Sequence, residues 1–131
     1  MAAAETYPED LKYHREHDWA RVDGDEALLG ITWFAQDALG DLVHYEPPEE
    51  GQTVEKDQPY GEVESVKAVS DVIAPLSGEV LEVNAKVVGE PEVVNDDPYG
   101  EGWLVRIRMS DPSEAGSLLD VEAYKQVLAE Q

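Results

Sequence analysis

The sequence predicts a mainly β domain closed by C-terminal helices, and three stretches carry that prediction. Residues 61–75 set one lysine, Lys67, between two short runs that alternate apolar and polar residues, the pattern of two half-buried strands joined by a turn. The first run, Gly61-Glu62-Val63-Glu64-Ser65-Val66, is echoed by Gly78-Glu79-Val80-Leu81-Glu82-Val83, a Gly-Glu-Val-x-x-Val pattern that places a second similar strand beyond the lysine. Trp103-Leu104-Val105-Arg106-Ile107-Arg108-Met109 then alternates apolar with basic side chains as a last strand would.

Taken in order, residues 1–10 form a polar arm expected to stay loose until Leu11. Residues 17–22 read as a strand with Trp19 on its apolar side, and Asp23-Gly24-Asp25 is a hairpin turn into a strand over 27–31. Thr32 is placed to cap a short helix whose apolar side is Phe34, Ala35, Ala38 and Leu39, and Gly40 closes it. Strand character resumes over 42–45 until Pro47-Pro48-Glu49-Glu50-Gly51 forces a turn, and Thr53-Val54 leads toward the lysine hairpin. Pro75 and Gly78 supply the next turn, because proline fixes φ and glycine admits positive φ. Residues 84–102, with Pro91, Pro98, Gly89, Gly100 and Gly102, read as a long irregular connection with a turn of helix near Val87 or Val93. Ser110-Asp111-Pro112 begins one short helix, and Asp120 caps another that aligns Val121, Tyr124, Val127 and Leu128 on one face.

A chain of 131 residues without a dividing linker is expected to be one domain over 1–131. Nine Lys+Arg against 30 Asp+Glu give a formal charge of −21. Nucleic acid and anionic membrane surfaces repel such a chain, since both are bound through basic patches. Basic partner surfaces attract it, although solubility or a salty cytoplasm explains acid content equally well. With no cysteine there is neither a disulfide nor a thiol of the chain's own, so dithiol chemistry must be imported. The acidic N-terminus lacks the basic and apolar segments of a secretory signal, and no stretch approaches the ~18 apolar residues of a membrane span, which reads as cytoplasmic.

Other chemistry is thin. His14 and His17 are spaced as metal ligands are, yet with only His44 besides, zinc would need carboxylates to complete its shell. There is no Gly-x-Ser-x-Gly elbow and no phosphate loop. A Schiff-base lysine needs an apolar pocket or a second cation, whereas the neighbours of Lys67 in sequence are Glu62, Glu64 and Asp71. A lysine on a β-turn projects its stem where a modifying enzyme can reach it while the strands fix its direction, although a turn lysine is ordinarily no more than solvated, and the residues of the hairpin alone leave both readings open.

The segment Glu64-Ser65-Val66-Lys67-Ala68-Val69-Ser70-Asp71, followed by Ala74-Pro75-Leu76-Ser77-Gly78-Glu79-Val80, resembles the lipoyl-lysine region of the glycine cleavage system H proteins. Tyr13-x-x-x-His17-Asp18-Trp19 resembles that family's opening strand, and Gly30-Ile31-Thr32 with Ala35-Gln36-Asp37-x-Leu39-Gly40 its first helix. Val94-Asn95-Asp96-Asp97-Pro98-Tyr99-Gly100-Glu101-Gly102-Trp103 resembles a further family pattern, so the likeness spans roughly residues 12–128. It implies a barrel-sandwich hybrid of the lipoyl/biotinyl-carrier type, two small antiparallel sheets with a short internal helix and C-terminal helices. It also implies a non-catalytic carrier: lipoate joined to Lys67 through an amide, with Glu64, Ser65, Val66, Ala68 and Asp71 as the recognised hairpin. The implied partners are glycine decarboxylase with pyridoxal phosphate, an aminomethyltransferase using tetrahydrofolate, dihydrolipoamide dehydrogenase and a lipoate-attaching enzyme. A loaded arm is expected to dock in a groove at Glu16, His17 and Asp18.

Trp33, Phe34 and His44 depart from the family's usual residues and bear on partner surfaces rather than on the lysine. Lipoyl domains of 2-oxoacid dehydrogenases share the hairpin but typically show Asp-Lys-Ala and lack the C-terminal helix. Biotin carriers resemble Met-Lys-Met, where this chain has Val66 and Ala68. An H-like relay of lipoate to other enzymes, or an unmodified interaction module, stays open.

Overall fold

A computed structural model describes residues 3–131. Its strands are β1 (Lys12–His14), β2 (Asp18–Asp23), β3 (Glu26–Ile31), β4 (Leu42–Glu46), β5 (Thr53–Val54), β6 (Pro59–Ser65), β7 (Val69–Ile73), β8 (Gly78–Val83) and β9 (Val105–Met109). They form two antiparallel sheets, a six-stranded one in the order β1-β2-β3-β9-β8-β5 and a three-stranded one in the order β4-β6-β7, and neither closes into a barrel. The helices are α1 (Trp33–Leu39), α2 (Ala85–Gly89), α3 (Val93–Asp96) and α4 (Val121–Ala129), with a 3₁₀ turn over Pro112–Ser117.

Alternation dictates where the core lies. Leu29 and Ile31 of β3, Val80 of β8 and Ile107 of β9 are buried from the large sheet, and Tyr45, Val63 and Val72 from the small one, and all join a single cluster with Leu42, Leu76 and Leu104. Fully burying each such side chain is worth about 1.5–3 kcal/mol. The two Gly-Glu-Val strands, β6 and β8, belong to different sheets, and the repeated glycine does the same job in each. A Cβ on Gly61 would stand 2.6 Å from the Glu46 carbonyl oxygen, and one on Gly78 would collide with that of Arg108. Both glycines therefore mark close approach of a neighbouring strand.

The caps fall where the sequence places them. Thr32 Oγ1 accepts from the Ala35 amide at 3.3 Å, Asp111 from Ser113 at 3.1 Å and Asp120 from Ala123 at 2.8 Å. The connection over 84–102 is more regular than expected, since it holds both α2 and α3. Asn84 explains part of this: its oxygen caps α2 through Lys86 N at 3.1 Å, while its amide donates to the carbonyls of Glu101 at 2.8 Å and Trp103 at 2.7 Å.

The arm expected to be loose is instead tied down over its described residues. Ala3 N donates to Asn95 O at 3.1 Å, and Ala3 O accepts from Trp33 Nε1 at 2.8 Å. Tyr99 Oη donates to Thr6 O and Tyr13 Oη to Pro8 O, each at 2.7 Å. Aromatic N–H and O–H groups need partners when their rings are buried, and here the arm's carbonyls provide them. Beneath the arm Leu11, Tyr13, Trp19, Tyr99, Val121 and Tyr124 form a second buried cluster, in which the rings of Tyr13 and Tyr124 stack at 4.6 Å.

Candidate functional site

The hairpin β6–β7 carries Lys67 in the turn Ser65-Val66-Lys67-Ala68, and one side chain fixes that turn. Ser65 N donates to Ala68 O at 2.8 Å, closing a two-residue loop. The Ser65 hydroxyl, itself buried, accepts from Lys67 N at 3.2 Å and Ala68 N at 3.1 Å and donates to Ala68 O at 3.3 Å. Tight hairpins usually require positive φ at the tip, supplied by glycine or asparagine. Among the described non-glycine residues only His17 and Asp57 have positive φ, so here the serine hydroxyl does the work that a special backbone otherwise would. Lys67 is exposed, between Val66 at 77% and Val69 at 60% exposure, and its stem reaches back over Gly40 at the end of α1.

Below the turn the outer face of the small sheet is acidic. Strand register aligns Glu46, Glu62 and Asp71 in one cross-strand row and His44, Glu64 and Val69 in the next, all exposed. His44 Nε2 lies 3.0 Å from Glu46 Oε2, and among the described residues no cation pairs with Glu62, Glu64 or Asp71. On the large sheet Arg106 pairs with Glu26 at 2.8 Å and Glu82 at 3.1 Å, and Arg108 with Glu79 at 3.7 Å. Below the lysine, three carboxylates thus stand in register, Glu62 and Asp71 without a cation partner among the described residues, and like charges directly opposite cost stability unless something basic covers them.

A family model described as "Glycine cleavage H-protein" matches residues 11–131. The chain belongs to the glycine cleavage H-protein family. The glycine cleavage system H protein of Symbiobacterium thermophilum is 53% identical over 117 residues, covering 89% of this chain and 91% of that protein. That of Bacteroides thetaiotaomicron is 50% identical over 122 residues, covering 93% and 97%. A crystal structure of a glycine cleavage system H protein from Mycobacterium marinum superposes with a TM-score of 0.87 at 40% identity, covering 94% of this chain and 99% of that one.

In this family member Glu16, His17 and Asp18 do not form one open groove. Glu16 is exposed, His17 half-buried and Asp18 buried. His17 Nδ1 lies 2.9 Å from Tyr124 Oη, and its ring packs 4.5 Å from that of Phe34. Burial lowers the His17 imidazole below its ordinary value, while Gln131 and Glu16 act the other way. Asp18 Oδ2 accepts from Ile73 N at 3.1 Å, which ties the start of β2 to the end of β7. The Asp18 expected to face a groove is instead a buried clamp between the sheets. A cavity of about 530 Å³ does open beside Glu16, lined also by Tyr13, His14, Lys56, Asp57 and Ile73. In it Glu16 N donates to His14 Nδ1 at 3.0 Å, so Nε2 carries the imidazole proton and donates to Asp57 Oδ1 at 2.7 Å. His14 and His17 are therefore engaged with different partners rather than converging on one point. Trp33 N donates to Tyr99 Oη at 2.8 Å and its indole donates to Ala3 O, so this residue serves to hold the arm.

Burial pushes the Asp18 carboxyl well above the usual carboxylate range, with Glu16 adding to the rise and the Ile73 amide opposing it. The folded chain then holds that proton more tightly than the unfolded chain does, so stability falls as pH rises from the ordinary carboxyl value of 3.8 through the raised one. Asn at this position keeps an oxygen for Ile73 and removes the charge. Asp18→Asn is expected to gain on the order of 1–3 kcal/mol near neutral pH and almost nothing near pH 4, read from urea midpoints across that range. An equal effect at both ends would mean that Asp18 is not buried as a charge.

Sequence reasoning did not find the role of Asn95. Its side-chain oxygen accepts from Leu42 N at 2.9 Å, and its amide donates to Gln36 Oε1 at 2.9 Å and Gly40 O at 3.0 Å, which sets the end of α1 beside Lys67. Those partners lie more than fifty residues away in sequence, and no local pattern signals such a contact.

Proposed function

We propose that this chain is the lipoyl carrier of a glycine cleavage system, with lipoate joined to Lys67 through an amide, acting as one domain over 1–131 in the cytoplasm. The observation that carries the reading is the lysine itself, exposed at the tip of a hairpin whose turn is locked by Ser65 in a chain of this family. The residues suit the group: nothing encloses the amine, Val66, Ala68 and Val69 offer apolar surface to an acyl chain, and Gly40 leaves the stem unobstructed. When bound, lipoate supplies the dithiol that a chain without cysteine lacks.

The chain's own residues hold and present. Glu64, Val66, Ala68 and Asp71 form the surface that a lipoate-attaching enzyme recognises, on a turn that the buried Ser65 holds in shape. The acidic rows beneath favour basic surfaces on glycine decarboxylase, the tetrahydrofolate-dependent aminomethyltransferase and dihydrolipoamide dehydrogenase. Tethering raises the effective concentration of the aminomethyl group at each partner, so the carrier itself needs no catalytic residue. Of the residues expected to receive a docked arm, Glu16 is the carboxylate open to it, while His17 and Asp18 shape the wall behind.

Reconstitution tests this reading. Protein first treated with a lipoate-attaching enzyme and lipoate should support decarboxylase-dependent exchange of carbon dioxide with the glycine carboxyl group, and untreated apo-protein should not. Equal activity of both forms would remove lipoate from the mechanism.

A further inference from the structure

Gly40 ends α1 with φ 84° and ψ −161°, a backbone region that side chains rarely adopt. A Cβ built on it would lie 3.5 Å from Lys67 Cε and 3.9 Å from Nζ. The far end of the exposed lysine thus lies over a bare Cα, with room for about one methyl group between them. The ground beneath is rigid: Gly40 N donates to Gln36 O at 2.9 Å, Gly40 O accepts from Asn95 Nδ2 at 3.0 Å, and Asn95 Oδ1 takes Leu42 N at 2.9 Å. Asn95 is itself buried and its amide pairs with Gln36, whose own amide donates to Trp33 O at 2.9 Å. Every polar atom of the Asn95 side chain is used in fixing this one segment.

We propose that Gly40, held by Asn95, is a positioning residue for Lys67: it keeps open a track on which the lysine stem lies, so that the amine meets the lipoate-attaching enzyme already partly ordered. The proposal rests on reading Lys67 as the acceptor. A free lysine loses most of its rotamer freedom when an enzyme grips it, and a stem already on a track has lost part of that freedom beforehand. A hydrogen leaves the track open and a methyl group just touches the stem, whereas a longer side chain occupies it.

The test separates occupation of the track from backbone strain. Gly40→Ala and Gly40→Leu both strain a positive-φ backbone, but alanine's methyl fits beneath the lysine whereas leucine reaches past it and displaces the stem. Gly51 has φ 88° and nothing within 4 Å of the position a Cβ would take, so Gly51→Ala and Gly51→Leu carry strain without the lysine. In lipoate attachment to apo-protein, Gly40→Leu should raise KM for the carrier about threefold to tenfold over Gly40→Ala with kcat within about twofold, while the Gly51 pair should not differ. In wild-type protein labelled at lysine Cε, Lys67 should show contacts to the Gly40 α-protons and slower motion than the exposed Lys12 and Lys125. Equal KM for the two Gly40 variants, or a Lys67 Cε as mobile as that of Lys125 and without those contacts, overturns the track. The relaxation measurement uses wild-type protein alone, so it decides even where a variant does not fold. Wild-type protein that takes no lipoyl group at all would overturn the acceptor reading instead.

Discussion

Lys67→Arg is expected to fold like the wild type and to lose all carrier activity. Arginine keeps the positive charge and a long stem, yet its guanidinium stays protonated and cannot form the lipoyl amide at neutral pH. The turn makes no demand on that side chain, because Ser65 fixes it through the backbone amides of Lys67 and Ala68. Thermal midpoints of the two proteins should agree within a degree or two, since surface substitutions generally fall within about 0.5 kcal/mol. Glycine-dependent turnover with the partner enzymes should fall to the level seen with no carrier. Residual turnover above that level would place the functional lysine elsewhere, at Lys12, Lys56, Lys86 or Lys125.

The largest loss of stability is expected at Tyr124. Its ring is fully buried, stacks on Tyr13 at 4.6 Å and meets the edge of Tyr7 at 5.6 Å. Its hydroxyl lies 2.9 Å from His17 Nδ1 and 2.8 Å from Thr32 Oγ1, so one side chain joins α4, the start of β2, the cap of α1 and the N-terminal arm. Truncating a buried aromatic residue costs about 3–5 kcal/mol, and here a buried threonine hydroxyl also loses a partner. Tyr124→Ala should therefore lower the thermal midpoint by about 10–20 °C. Tyr124→Phe, which keeps the stack and removes only the hydroxyl, should cost about 1–2 kcal/mol. A loss in Tyr124→Ala no greater than in Tyr124→Phe would mean that the stack contributes little and that α4 is held by its hydrogen bonds.

What could be read from the sequence follows the range of the interactions. Alternation in residues 61–75 and 103–109 marks β6, β7 and β9 because a strand's period is a local property. Thr32, Asp111 and Asp120 announce their helices because a cap acts within three residues. The arm reads as loose because its own residues are polar, and the groups that hold it, on Trp33, Tyr99 and Asn95, lie far along the chain. β1 escapes the same way: three residues carry no period, and Tyr13 is fixed by the distant Leu119 through paired backbone bonds of 2.8 Å.

The site divides likewise. Lys67 and its flanks are legible as a motif, and the role of Ser65 follows from a serine's tendency to bond its own backbone nearby. The burial of Asp18 is not legible, because an aspartate beside a tryptophan gives no hint that a strand from the other sheet will cover it. Nor is the acidic row beneath the lysine, since 30 acidic residues in a sequence say nothing of which will stand opposite one another. Register settles that, by stacking Glu46, Glu62 and Asp71 across β4, β6 and β7.

Lipoate on Lys67 is the central claim, and intact mass followed by peptide mapping of protein purified from its own host tests it most directly. The predicted result is a single lipoyl increment on the whole chain, located on the peptide that contains Lys67 and absent from Lys67→Arg. An unmodified chain, or an increment mapped to Lys12, Lys56, Lys86 or Lys125, would contradict it.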